Sequence, residues 1–479
     1  MNWMIAIPEI VLACCGMAIL ILCVFRKHDD GFQLASMLSV ASLGITAMLV
    51  LSGTMGLGFH GMVVADRFSG FCRIVILIAS ALAVLLSLDH NQQPANASQK
   101  LARFEFPVLI LFATIGMMIM VSASNLMTVY MGVELQSLSI YVLAAFARDT
   151  ERSSEAGLKY FVLGALASGL LLYGISLVYG FAGTTSFGEL AKSFANPASL
   201  SPGLIVGVVF VVAGLAFKSA AVPFHMWTPD VYEGAPTSVT AFMATAPKVA
   251  ALALFSRVMV GPFGHLIASW QQLLVLISIA SMLLSAFAAI GQSNIKRMLA
   301  YSSIGHVGYL LIGIAAGTEV GIRGVLIYLV TYVFMSAGIF ACVLAMRRKG
   351  RSLERISDLA GLGRTDPALA LALIIFLFSL AGIPPFSGFW AKYFIFIAAV
   401  EQGLWALAVL GMASSAVAAF YYIRIIKVMY FDPAEAAFDT RPMSLSVVAG
   451  ASAIFTTFFF IFPAPLVSAA QAAAKVLFL

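Results

Sequence analysis

The sequence predicts an all-α polytopic membrane protein, and three observations carry that reading. Of 479 residues, 62% are apolar and only 10% charged, against roughly 25% charged in an ordinary soluble chain. The apolar residues gather into runs long enough for helices that cross a hydrocarbon core about 30 Å thick, which takes roughly 20 residues each. The basic residues concentrate in alternate loops between those runs, as the positive-inside rule requires of a multi-pass protein. A water-soluble enzyme is thereby excluded.

Fourteen spans are expected, over residues 3–25, 32–52, 68–88, 104–122, 126–147, 156–182, 203–227, 237–260, 267–290, 295–316, 320–346, 367–400, 403–431 and 445–467. The first run is longer than a signal-peptide core and no basic residue precedes it, so it should remain as a span. Span 12 should be two half-helices, because Gly382-Ile383-Pro384-Pro385 cannot continue a helix. Seventeen of the 27 Lys and Arg fall at loops that follow odd-numbered spans, including Arg347, Arg348, Lys349, Arg351, Arg355 and Arg364. The termini and the other loops hold five. Basic loops therefore belong to the cytoplasm and both termini to the periplasm. The net charge of +6 reflects topology, and no nucleic-acid partner is called for.

Several motifs are decoys. Gly56-Leu57-Gly58-Phe59-His60-Gly61 spells GxGxxG, but it lies in a short outer loop without the strand–turn–helix context of a dinucleotide site. Asn96-Ala97-Ser98 spells a glycosylation acceptor in a loop assigned to the inside. Cys14, Cys15, Cys23, Cys72 and Cys342 lie in apolar runs with no CxxC spacing, which suits small buried hydrophobes rather than a disulfide frame or a zinc site. No cofactor or metal is expected on this chain.

The informative residues are charges where lipid should be. A charge at mid-membrane costs about 2.5–3.5 kcal/mol on insertion scales. Glu134 lies near the middle of span 5, with Tyr130, Ser137 and Tyr141 on its face; Lys218 is in span 7, with Gly207 and Gly214 on its face. Lys248 follows Pro247 in span 8, and Lys392 lies just beyond the Pro384-Pro385 break. His306 is central in span 10, with Ser302 and Tyr309 beside it. Lys159 follows Glu155 by four residues, which equally fits a snorkelling surface pair. Arg73 fits an anchor near the outer end of span 3. His225 and His306 also fit satisfied core histidines. Glu134 and Lys218 are expected to meet or to be bridged by water, because neither charge is cheap alone. Lys248 and Lys392, with no acidic partner in view at mid-depth, suit groups that pick up and release protons.

Val222-Pro223-Phe224-His225-Met226-Trp227 is similar to Pro384-Pro385-Phe386-Ser387-Gly388-Phe389-Trp390, five spans later. An odd offset reverses orientation, so spans 4–8 and 9–13 parse as inverted five-helix repeats with broken helices 7 and 12. Boundaries follow at 1–103 for spans 1–3, 104–266 and 267–442 for the repeats, and 443–479 for span 14.

Lys218-Ser-Ala-Ala-Val-Pro-Phe-His-Met-Trp-Thr-Pro-Asp-Val-Tyr-Glu-Gly-Ala-Pro-Thr237 resembles the signature of the antiporter-like membrane subunits of respiratory complex I (NADH-quinone oxidoreductase) and of Mrp-type cation/proton antiporters. Lys248, the stretch Lys296-Arg-Met-Leu-Ala-Tyr-Ser-Ser-Ile-Gly-His306, and Gly382-Ile-Pro-Pro-Phe-Ser-Gly-Phe-Trp-Ala-Lys392 fit as well. The resemblance covers nearly the whole chain. A long C-terminal extension marks the L-type members and a Glu in place of Lys392 the M-type, so the resemblance is to the N-type.

The resemblance implies proton translocation. It assigns Glu134 and Lys218 to a coupled pair, Lys248 to a central relay, Lys392 to an outward half-channel, and Lys159, His225 and His306 to secondary relay groups. It places NADH, FMN, iron–sulfur clusters and quinone in other subunits, so that "enzyme" applies to the assembly, whose neighbouring antiporter-like and small hydrophobic subunits, with lipid, are the expected partners. The rival reading is an Mrp-type antiporter without redox coupling. Sodium sites favour clustered oxygen ligands, and one carboxylate against three lysines favours protons.

Overall fold

The computed structural model describes residues 3–26, 28–92, 101–195 and 201–478; Lys27, Lys100 and Asn96-Ala97-Ser98 lie outside the described residues. Helices run α1 Ile7–Val24, α2 His28–Ser52, α3 Arg67–Gln92, α4 Glu105–Val121, α5 Leu126–Ala144, α6 Glu151–Ala182, α7 Phe187–Phe194, α8 Pro202–Ser219, α9 Trp227–Gly234 and α10 Thr237–Met243. They continue α11 Ala246–Val260, α12 Ile267–Ile290, α13 Ile295–Ala315, α14 Glu319–Ala345, α15 Leu362–Thr365, α16 Pro367–Ala381, α17 Ser387–Glu401, α18 Trp405–Phe431, α19 Met443–Phe458 and α20 Ala464–Lys475. Among the described residues, eleven helical stretches are long and apolar enough to cross a membrane, and four apolar ones are shorter. The molecule is an all-α, multi-pass membrane protein.

Helix ends follow local chemistry. The side chain of Asn125 accepts from the Met127 N–H, Asn294 from Lys296 and Arg297, and Asp366 from Leu369, each satisfying donors that a helix start leaves free. Strands Gly56–Gly58 (β1) and Val63–Ala65 (β2) pair as an antiparallel hairpin around the GxGxxG letters. A hairpin between two helices is not a dinucleotide-binding turn. A second hairpin joins Arg347–Arg348 (β3) to Arg351–Ser352 (β4).

Spans 7 and 12 are both broken, and in the same way. Ala220 (φ 67°) and Gly382 (φ 86°) adopt the left-handed conformation. The next N–H, of Ala221 or Ile383, reaches back to the carbonyl of Ala216 or Phe378. This doubly bonded left-handed cap ends both first halves. Pro223 and Pro385 follow at the same offset, each in a cis peptide bond.

One expected span holds as a stretch but is interrupted, and another is corrected. Residues 237–260 are not one helix, because α10 ends at Met243 and α11 begins at Ala246. Pro247 has no N–H and its ring clashes with the carbonyl four residues back, so the ladder cannot pass it. The freed Met243 carbonyl accepts the Tyr232 hydroxyl at 3.3 Å. Residues 445–467 are likewise split between α19 and α20 at Pro463.

Close pairs build the body: α4 with α5, α6 with α8, and α12 with α13. Glycine permits the α6–α8 approach, since a Cβ on Gly214 would meet the Leu171 Cβ at 2.6 Å and one on Gly174 the Gly207 carbonyl at 2.8 Å. α10, α11, α13 and α14 are buried almost throughout, whereas α1, α2 and α6 turn one apolar face outward. Helices that are apolar all round belong at the centre, and that is where the expected charges lie.

Candidate functional site

Lys218 ends α8, where its buried amine donates to Ser137 Oγ at 2.6 Å and to the Tyr141 hydroxyl at 3.4 Å. Both acceptors come from α5, on the face that carries Glu134. The direct Glu134–Lys218 contact expected from sequence is not formed. Ser137, one turn from Glu134, stands in its place. Glu134 itself is half-buried, and its Oε1 lies inside the protein without a hydrogen-bond partner.

From Lys248 onward the polar groups line up along α13. Lys248, in the first turn of α11, donates to Ser303 Oγ at 2.7 Å. One turn on, His306 meets the Tyr328 hydroxyl through Nδ1 at 2.6 Å and the Tyr422 hydroxyl through Nε2 at 3.3 Å. Ser302 also bonds Tyr422. Tyr309, three residues further, pairs with Ser414 at 3.2 Å, and the Lys392 amine sits 4.8 Å from the Tyr309 ring centroid. Residues 302/303, 306 and 309 recur every three to four positions, so one helix face presents them all.

Lys392 closes the row. Although it follows the span 12 break in sequence, its amine folds back onto it, donating to the carbonyls of Leu380 and Ala381 at 3.1 and 3.0 Å and to Ser415 Oγ at 2.7 Å. The ammonium thus sits at the carbonyl end of α16, where the helix dipole favours a positive charge. Lys248 occupies the opposite situation, at the amide end of α11, which works against its charge. Between Lys218 and Lys248 the connection is aromatic: Tyr141 packs on Tyr160, Tyr160 stacks on Trp227, Trp227 meets Tyr232, and Lys248 lies over Tyr232.

The remaining candidates lie apart from this row. Lys159 is a rim residue, paired with Glu155 at 2.7 Å and Asp230 at 2.9 Å. It belongs to an ion cluster with Arg152, Glu233, Arg297, Lys296 and Glu354; Lys159, Asp230 and Arg297 line a small cleft of about 180 Å³, and Arg152, Glu233 and Glu354 also border a larger one of about 870 Å³. There Lys159 and Arg297 hold the Asp230 carboxyl below the usual carboxylate range despite its partial burial. Lys296 and Arg152 do the same for Glu354. His225 is half-buried in the span 7 break, and among the described residues no side-chain hydrogen bond ties it to the row. Pro223, Pro384 and Pro385 shape the two breaks.

Arg73 is corrected from anchor to buried ion pair: it meets Glu9 at 2.7 Å, and its Nε donates to Ser122 Oγ at 2.7 Å. Glu9 and the neighbouring Asp66–Arg257 pair (2.8 Å) escaped sequence reasoning. Burial pushes the Asp66 carboxyl up, but Arg257 and Ser69 hold it below its ordinary value. A carboxylate at the seventh position of the 3–25 apolar run was the available signal for Glu9. Ser303, Ser415, Tyr328 and Tyr422 were also missed, because hydroxyls in apolar helices are too common to single out.

Buried ammonium and imidazole groups threaded through a bundle with two matching broken helices define the class, and the comparisons name it. Residues 123–418 match the NADH:quinone oxidoreductase/Mrp antiporter transmembrane family, and the chain belongs to that family. It is 61% identical to NADH-quinone oxidoreductase subunit N of Granulibacter bethesdensis, with all of both chains covered. The protein of the same name from Paramagnetospirillum magneticum is 55% identical over 98% of this chain and 97% of its own. A chain of respiratory complex I from Thermus thermophilus superposes with TM-score 0.83 and 31% identity, covering 97% of this chain and 100% of that one. A chain of the Mrp complex from Dietzia sp. shares the fold, with TM-score 0.87 and 22% identity over 100% and 98%.

Proposed function

We propose that this chain is a proton-translocating N-type membrane-arm subunit of a bacterial NADH:quinone oxidoreductase. It works beside other antiporter-like and small hydrophobic subunits and lipid, in the inner membrane with both termini periplasmic. NADH, FMN, iron–sulfur clusters and quinone belong to the rest of the complex. The row from Lys248 through Ser303, His306 and Tyr309 to Lys392 is the observation that carries this reading. Its ammonium and imidazole groups exchange protons, and the ammonium charges repel metal cations, so sodium exchange of the Mrp kind is disfavoured. Residues 104–266 and 267–442 are read as inverted repeats, each contributing one broken helix, after 1–103 and before 443–479.

Proton movement follows from the electrostatics. Lys248 faces the amide end of α11 and Lys392 the carbonyl end of α16, so a positive charge is better held at Lys392, and transfer runs outward. Release must then be driven. Moving one charge against about 150 mV costs roughly 3.5 kcal/mol. A second positive charge about 10 Å away contributes roughly 2 kcal/mol of repulsion at an effective dielectric of 20. One arriving proton is too little alone. Glu134 and Lys218, which are not directly paired, supply a further switch by closing into a pair or opening. Lys159, His225 and His306 act as secondary groups, the first at the mouth of the inward path.

The test is Lys248→Ala in the assembled complex in inverted membrane vesicles, read by quenching of a ΔpH-sensitive dye during NADH oxidation. Pumping should be lost. Parent-level pumping by that variant would remove the relay.

A further inference from the structure

Lys218, Lys248 and Lys392, on three different helices, share one kind of partner. Lys218 donates to Ser137 at 2.6 Å, Lys248 to Ser303 at 2.7 Å and Lys392 to Ser415 at 2.7 Å. The serines come from α5, α13 and α18, and each hydroxyl is within reach of a backbone carbonyl. Those carbonyls belong to Val133 for Ser137, to Ala300 at 2.8 Å for Ser303, and to Ala381 at 3.3 Å for Ser415. None of the three lysines forms an ion pair with a carboxylate within 4.0 Å among the described residues.

A serine hydroxyl has one donor and two acceptor lone pairs, and its hydrogen rotates to suit. Beside an ammonium it accepts from lysine and donates to the carbonyl. Beside a neutral amine it turns, and donates into the nitrogen lone pair. Both protonation states are then satisfied with no heavy atom moving. A carboxylate would hold the ammonium alone, and an apolar residue neither state, since an unsatisfied buried polar group is costly.

We propose that Ser137, Ser303 and Ser415 are positioning residues of the proton path, hydroxyl rotors that keep each lysine able to carry a proton and to give it up. The proton itself leaves Nζ for the next station, its bonding pair staying on nitrogen. The serine passes none on: its single hydrogen swings between the carbonyl and the neutral amine and stays bonded to Oγ in both settings. This rests on the relay proposed above.

The test compares Ser303→Ala, Ser303→Thr and Ser303→Cys with Ser256→Ala in inverted vesicles of the assembled complex, recording pumping against pH. Ser256 is a fair control, since it is equally buried and bonds the Leu252 carbonyl at 2.9 Å without touching a lysine. Ser303→Ala should pull the alkaline limb of the profile down by about one pH unit, the tenfold worth of one charge-assisted hydrogen bond. Ser303→Thr, which keeps the hydroxyl, should restore it. Should the alanine variant fail to assemble, Ser303→Cys decides, as it keeps the volume with a weak acceptor and should shift the limb the same way. A profile for Ala or Cys that matches Ser256→Ala overturns the proposal while leaving the relay intact. Parent-level pumping by Lys248→Ala instead overturns the relay on which it rests.

Discussion

Lys392 illustrates how a side chain's reach rewrites its address. Its amine satisfies two carbonyls freed by a helix break twelve and eleven residues earlier, and a serine from α18. Lys392→Ala leaves those carbonyls to find other partners, and should both stop pumping and loosen the break by about 1–3 kcal/mol per unsatisfied group. Lys392→Arg keeps a charge to hold them but does not release its proton at working pH. That variant should assemble, and pump less by about tenfold or more, a barrier change of roughly 1.4 kcal/mol. Parent-level pumping by the Arg variant would show that Lys392 need not deprotonate. Glu134 has a buried oxygen with no hydrogen-bond partner among the described residues, and Lys218 bonds Ser137 instead of it. Glu134→Ala should lose pumping, whereas Glu134→Asp retains part of it, measured with the same dye.

The two broken helices end in the same left-handed cap with different residues. Gly382 adopts φ 86° without penalty, and a Cβ there would stand 2.9 Å from Lys392 Cδ. Ala220 adopts φ 67° with a Cβ already in place. Left-handed backbone costs a residue with a Cβ about 1–2 kcal/mol. Gly382→Ala should therefore destabilise by about that much and disturb Lys392, while Ala220→Gly should stabilise by a similar amount. Thermal unfolding of the purified complex reads both, and shifts of the same sign at the two sites would mean the breaks are not equivalent. Pro247 makes the third interruption. Pro247→Ala restores the missing N–H, lets α10 continue toward α11, and should reduce pumping although Lys248 is untouched.

At the scale of the molecule, charge placement sets both topology and the seal on one face. A reporter fused within 347–364 should read cytoplasmic and reporters at both termini external, and either terminus found inside would undo the orientation. The ion cluster around the cleft joins α6, α9, α13 and the segment after β4, with Lys296 donating to Glu354 at 3.1 Å and to the carbonyls of Glu233 and Ala235. Because the Glu354 carboxyl is held below its ordinary value in the folded state, its contribution is complete above the unfolded value near pH 4.3 and fades as pH falls through the folded one. Stability of the purified complex against acid should show that loss below about pH 4. Glu354→Gln should remove it and lower stability at neutral pH by about 1 kcal/mol.

What the sequence determined by itself was the membrane class, the helical stretches, the two proline breaks and the buried lysines, since apolar runs, proline chemistry and the expense of intramembrane charge are all local properties. Family membership was legible too, because long motifs surround those charges. Contacts were not. Lys218 bonds Ser137 rather than Glu134, and Arg73 finds Glu9 across 64 positions. Lys392 turns back to the break, and Ser303, His306 and Tyr309 become one row only because α13 is packed among α11, α14 and α18. Span 8 read as continuous because its apolar run passes Pro247 without a polar break, and a membrane helix tolerates proline where neighbours satisfy the freed carbonyl. Only the tertiary structure shows that the turn ahead of it hands its carbonyl to Tyr232. Hydropathy reports which segments leave water; which hydroxyl meets which ammonium is decided by helix packing between residues far apart in the chain.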